Sequence, residues 1–392
     1  MKHPFVPMRR VVSPRDRDEE HRPATPLELF FDLVFVVAVA SAGVELHQDL
    51  AEGRWHGLLG YLMAFLAIWW AWVNYTWYAS SYDNDDVVFR LLTFVIMTGA
   101  LVFAASIPDF SADGQSVSTV LGYVVMRVGM VALWLRAARD HPQGRATALY
   151  YAAGIAFAQV LWVARLACPP HLAVATFFAI FLIEVLVPVV AERQGRTHFH
   201  PQHIAERYFL FAIIVLGEEI LSLSTVVQGA IAEGLPARFG LLLAGALLIV
   251  FSAWWWYFSG DYSELADSDH GSWLFGYGHF VVYLSLAAIG SALAAGVDVA
   301  LGTAQASGRS IALVLAVALA GYGVSTRLMS SVKSPDPVRA ATTAAFAAGV
   351  LLCSLIDDMP TAVLAMGLVM AGALAAQVVR TNQVARRAAE VT

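Results

Sequence analysis

Charge is scarce in this sequence. Only 14% of its 392 residues are Asp, Glu, Lys or Arg, 59% are hydrophobic, and the mean hydropathy is +0.65. Soluble domains carry about 25% charged and about 45–50% apolar residues, so a water-soluble core cannot absorb the excess. Cysteine is scarcer still. Cys168 and Cys353 can build neither a disulfide framework nor a metal-ligand pattern, and they read as small apolar helix residues. Also missing are a phosphate-cradling glycine loop, a paired zinc motif, a nucleophile elbow and any soluble stretch large enough to host chemistry. These absences point away from an enzyme, a bound cofactor or a resident metal. Basic residues are spread along the flanks of apolar runs rather than gathered in a patch, which leaves nucleic acid without support as a partner. Residues 1–27 are rich in Arg and Pro and offer no hydrophobic core for a signal peptide. They read as a mobile cytosolic tail.

What the sequence has is apolar runs. A spanning helix needs about 20 mainly apolar residues, and twelve runs qualify: 28–47, 56–80, 88–107, 117–138, 146–167, 171–191, 203–226, 237–259, 274–297, 310–329, 340–356 and 361–380. The fold class is an all-α polytopic membrane protein. With the N-terminus inside, nineteen Lys and Arg flank the cytosolic ends of these runs, and only Arg54, Arg165, Arg238 and Arg309 flank the other ends. That bias places both termini in the cytoplasm. The lipid bilayer is the one certain partner, and a homo-oligomer is compatible with the sequence.

Six plus six helices suggest duplication. Trp69-Trp70-Ala71-Trp72 and Trp77-Tyr78 resemble Trp254-Trp255-Trp256-Tyr257, and Glu28 and Glu206 are separated by a similar offset of about 180 residues. Two parallel repeats, 28–191 and 203–380, are expected, joined by a cytosolic linker at 192–202 and followed by a cytosolic tail at 381–392. The Trp clusters read as an interfacial aromatic belt. Acidic loops follow both Trp-rich helices, Asp83 to Asp86 and then Asp261, Glu264, Asp267 and Asp269. They read as solvated loops or as a cation-gathering mouth.

Acids inside membrane helices are expensive and mark functional sites by default. Thr25-Pro26-Leu27-Glu28 reads as a capping box, which accounts for Glu28. Asp32 lies too deep for a cap, and Arg90 is its expected base. Glu184 precedes Pro188 by four residues, so its carbonyl loses a helical partner. Glu218 and Glu219 sit deep in the seventh run, with Glu218, Ser222 and Thr225 on one face. Arg127, in the middle of the fourth run, needs a partner among Glu184, Glu218 and Glu219. Three deep acids against one deep base leave negative charge that must be protonated, hydrated or occupied by a cation. His279 reads as a titratable group or a hydrogen-bonded packing residue. His198, His200 and His203 with Glu206 form a loose metal-like pattern interrupted by Pro201.

At these residues the chain resembles the bacterial low temperature requirement protein A family. The resemblance rests on Thr25-Pro-Leu-Glu-Leu-Phe-Phe-Asp32, Trp70-Ala-Trp72, Asn74-Tyr75, Tyr82-Asp83, Glu206-Arg207, Ile213 to Glu218 and Gly278-His279. One departure is Tyr208-Phe209, where the family tends to have a glycine. The resemblance implies a bacterial cell-membrane protein of unsettled biochemistry, named for a cold-growth phenotype, and it supplies no catalytic residues. Two functions stay open. The first is a transporter or channel for protons, cations or a small solute, with Asp32, Glu184, Glu218, Glu219, Arg127, Arg90 and His279 as its polar core. The second is a non-transporting stress or scaffold protein whose buried charges are structural pairs.

Overall fold

The computed structural model describes residues 6–16, 23–82, 84–113, 115–233, 239–260, 262, 265, 271–331 and 336–389. Among them the regular structure is helical throughout. The helices are α1 (Pro26–Glu52), α2 (Gly57–Tyr82), α3 (Val87–Ala105), α4 (Ile107–Asp113), α5 (Val117–Asp140), α6 (Arg145–Arg165), α7 (Ala173–Ala191), α8 (Pro201–Glu233), α9 (Phe239–Phe258), α10 (Gly271–Leu301), α11 (Gly308–Ser331), α12 (Pro337–Cys353) and α13 (Met359–Ala389).

Ten of the described helical stretches are long and apolar enough to cross a membrane: α1, α2, α3, α5, α6, residues Pro170–Ala191 around α7, α9, α10, α11 and α13 up to Gln383. The helices α8 and α12 cover the two remaining apolar runs. Outward-facing side chains on these helices are themselves apolar. Val160, Leu182, Phe251 and Leu352 are all more than half exposed. Such a surface is stable only when lipid covers it, and helices leave no backbone group for lipid to satisfy.

Local signals set the helix starts. Thr25 and Glu28 form a reciprocal capping box, with the Glu28 amide donating to Thr25 Oγ1 at 3.2 Å and the Thr25 amide donating to Glu28 Oε2 at 2.8 Å. Asp86 caps α3 by accepting from the Phe89 amide at 2.8 Å. Asp336 caps α12, with Pro337 in the first turn.

The chain forms two compact units. Unit 1 comprises residues 1–45 and 59–210, and unit 2 comprises residues 46–58 and 211–392. In unit 1, α3 packs on α5, α5 on α6 and α6 on α7. In unit 2, α9 packs on α13, α10 on α11, α11 on α12 and α12 on α13.

The N-terminal segment departs from the mobile tail expected for it. Residues 6–16 form a strap held to unit 1. The Arg10 amide donates to Asp86 Oδ2 at 2.6 Å, the Val87 amide to the Pro7 carbonyl at 3.0 Å and the Arg15 amide to the Ser81 carbonyl at 2.9 Å. Arg9 and the Val12 amide both reach Asp140, at 2.7 and 3.2 Å. Asp86, which read as a solvated loop acid, and Asp140 at the end of α5 are the anchors. Asp83 and the second acidic loop lie outside the described residues.

The first Trp cluster also departs from expectation. Trp69, Trp70 and Trp72 are all buried, so they fill the interior of unit 1 rather than form a belt. Trp254 and Trp255 are half exposed, as a belt requires, whereas Trp256 is buried and donates to Thr326 Oγ1 at 3.2 Å.

Candidate functional site

Three groups of buried polar residues emerge. The first, in unit 1, arises because α1 and α8 each carry a pair of polar residues four apart, which places each pair on one face. Glu28 and Asp32 on α1 meet His203 and Arg207 on α8. The Arg207 guanidinium donates through Nη2 to Asp32 Oδ1 at 2.5 Å and through Nε to Oδ2 at 3.2 Å. Its Nη1 lies 2.9 Å from Glu28 Oε1. Trp72 Nε1 donates to Asp32 Oδ1 at 2.7 Å. His203 Nε2 lies 3.2 Å from Glu28 Oε1, and its Nδ1 lies 3.2 Å from Ser80 Oγ. All four charged or titratable side chains are fully buried. With His203 neutral the group carries one net negative charge, and with His203 protonated it carries none.

Two sequence readings change here. The base for Asp32 is Arg207, and Arg90 instead pairs with Asp85 at the surface, Nε to Oδ1 at 2.8 Å. Glu206 is half buried and outside the cluster, so the helix-eight counterparts of the α1 acids are its neighbours in the sequence, His203 and Arg207. The histidines are used in hydrogen bonds as well. His200 Nδ1 accepts from the His203 amide at 3.2 Å at the start of α8. Among the described residues no three His, Cys, Asp or Glu side chains gather to hold a metal ion. Tyr208, the first residue of the Tyr208-Phe209 pair, is buried edge-on against Trp72 with ring centroids 4.8 Å apart, and its hydroxyl accepts from Trp77 Nε1 at 3.0 Å.

The second group, also in unit 1, joins α5, α6 and α7. Glu184 accepts four hydrogen bonds. Gln159 Nε2 and Trp162 Nε1 reach Oε1 at 3.0 and 3.1 Å, and Tyr123 Oη and Arg127 Nη2 reach Oε2 at 2.6 and 3.1 Å. Arg127 also contacts the Tyr123 hydroxyl and lies 4.6 Å over its ring. The pairing of Arg127 with Glu184 therefore matches one of the partners read from the sequence. Arg127 Nε and Nη1 and Gln159 Oε1 are buried without a hydrogen-bond partner among the described residues. Orphan donors and an orphan acceptor around one carboxylate suit a bridging water or small polar molecule.

The third group is in unit 2. Glu219 is buried and Glu218 half buried, the reverse of the emphasis on Glu218. The Glu219 carboxylate occupies the place where a Cβ on Gly290 of α10 would stand. No described side chain donates to it. The side chain of Thr225, expected on the Glu218 face, lies outside the described residues. His279 is a packing residue by geometry. Its Nδ1 faces the Phe275 carbonyl at 2.6 Å, which requires Nδ1–H, so Nε2 accepts from the Tyr257 hydroxyl at 2.8 Å.

Paired charges inside helices whose outer faces are apolar define a multi-pass helical membrane protein. Residues 23–378 match the family described as bacterial low temperature requirement A protein (LtrA), and the chain belongs to it. It is also 27% identical over 287 residues, 68% of each chain, to a Rhizobium meliloti (strain 1021) protein described as uncharacterized.

Proposed function

We propose that this protein is a twelve-span transporter or channel for protons, cations or a small solute, and that Glu219 is its working acid. One observation carries the reading. Among the described residues every deep acid of unit 1 is matched by a base or by several donors, whereas Glu219 is buried opposite a glycine with none. A bare buried carboxylate is too costly to persist, so it holds a proton or a cation, and exchanging one for the other is the elementary act of coupled transport. Counting α8 and α12 as spans gives twelve, both termini on the cytoplasmic side and two parallel six-helix repeats. The duplicated Trp pattern supports that arrangement. Asp32, Arg207, Arg127 and Glu184 then serve as fixed struts, and Arg90 and His279 leave the polar core.

A second reading, a non-transporting stress or scaffold protein, is favoured by the saturation of Asp32 and Glu184. Purified protein reconstituted in vesicles separates the two. Proton or monovalent-cation flux that Glu219→Gln abolishes, with unaltered folding, supports transport. Flux in that variant equal to wild type, or none from wild type across ions and pH, sinks it in favour of the scaffold.

A further inference from the structure

Unit 2 contains a cavity of about 650 Å³ where the ends of α9, α11, α12 and α13 meet. Its polar wall is made of arginine. Arg327 comes from the last turns of α11, Arg339 from the first turn of α12 and Arg380 from the far part of α13, and no acid lines it among the described residues. The one carboxylate that answers them, Asp336, is already occupied. It accepts from Arg380 Nε and Nη2, each at 2.9 Å, and from the Val338 amide at 2.9 Å. Arg339 Nη2 donates to the neutral Thr381 Oγ1 at 2.9 Å, while its Nε stands 3.8 Å from Asp336 and makes no hydrogen bond among the described residues. Among the described residues Arg327 reaches only the Asp336 carbonyl at 3.0 Å and Ser330 Oγ at 3.5 Å, and its buried Nε has no partner. Among the described residues, three guanidinium groups against one carboxylate leave two positive charges at the cavity. Trp256 and Tyr262 form part of its less polar wall.

We propose that this cavity is an anion site that takes a phosphate-bearing ligand. The phosphate sits between Arg327 and Arg339, and the less polar remainder lies along Trp256 and Tyr262. The volume falls within the range of small-molecule sites, about 300–1,000 Å³, and far exceeds the need of a halide. Guanidinium forks match tetrahedral oxyanions, and the two unspent charges match a phosphate. The phosphate can belong to an anionic lipid headgroup or to a free phosphorylated solute. The site does not depend on the role given to Glu219.

The test uses the full-length protein and two probes. Inorganic phosphate is titrated calorimetrically into protein held in nanodiscs of phosphatidylcholine. In parallel, retention of phosphatidylglycerol over phosphatidylcholine is measured by native mass spectrometry. Arg327→Gln should weaken binding about tenfold or more, the worth of one charged hydrogen bond. Asp336→Asn keeps a capping oxygen on α12 while releasing Arg380 and Arg339, so it should strengthen binding several-fold, a gain that misfolding cannot produce. Arg90→Gln, at the surface of unit 1, should change nothing. A response in the phosphate arm identifies a soluble ligand, and a response only with phosphatidylglycerol identifies a lipid headgroup. Equal binding by wild type, Arg327→Gln and Asp336→Asn in both arms overturns the proposal.

Discussion

At Arg207 one guanidinium holds Asp32 through Nε and Nη2 and faces Glu28 through Nη1, with all three side chains fully buried. Removing one member of such a group strands the others, which typically costs about 3–5 kcal/mol. Arg207→Gln should therefore lower the thermal midpoint in detergent sharply. Trp72→Phe, which removes one donor to a carboxylate, should cost about 1.5–3 kcal/mol. Asp86 offers a test in pH. Burial pushes its carboxyl up, but donors from Arg136, the Arg10 amide and the Phe89 amide outweigh that and hold it below the ordinary value. A carboxyl lowered by folding contributes stability above its unfolded pKa of about 3.9, and the contribution disappears as pH falls through the lower folded value. Relative to its intrinsic rate, amide exchange across residues 6–16 should accelerate below about pH 4 in the wild type. In Asp86→Asn it should already be fast at neutral pH, and equal protection in both proteins would refute the anchoring role. The capping box was legible in the sequence because its partners lie three residues apart. Arg207 was not, because pairing with Asp32 depends on which face α8 presents, and a residue so near a helix start looks like ordinary cytosolic charge.

Helices α3 and α5 approach until backbone meets backbone. A Cβ on Gly99 would stand 2.5 Å from the Met126 amide nitrogen and 2.7 Å from the Gly122 carbonyl oxygen. Small residues drive helix association in lipid by permitting this approach. Overpacking commonly costs about 1–3 kcal/mol, so Gly99→Leu should destabilise at the upper end of that range, read as earlier unfolding in a detergent melt. Gly290 faces a carboxylate rather than a backbone, so its substitution tests function as well. Gly290→Ala should displace Glu219 and reduce flux in vesicles even at temperatures where the protein remains folded. Retention of full flux would count against Glu219 as the working group. The helices themselves were legible, since runs of about twenty apolar residues announce them. The phase of each helix was not, and phase decides that Glu219 rather than Glu218 turns inward.

For the whole molecule, the twelve-span arrangement proposed above puts both cysteines on the outer side, Cys168 after five crossings and Cys353 after eleven. Both are half buried. A membrane-impermeant maleimide added to intact cells should label Cys168 in Cys353→Ser and Cys353 in Cys168→Ser. Protection of Cys353 alone would mean that one of α8 and α12 does not cross. The helical membrane class was legible in composition, whereas the strap was not, since its anchor Asp86 looked like a solvated loop acid. The pairing of Asp32 with Arg207 also has a consequence in time. The two residues are 175 positions apart, and a ribosome adding about 5–20 residues per second leaves α1 waiting roughly 10–35 s for its base. Trp72 is 40 positions away and emerges far sooner. The indole is thus the first chaperone of that carboxyl, and the first helix is not finished until the eighth is made.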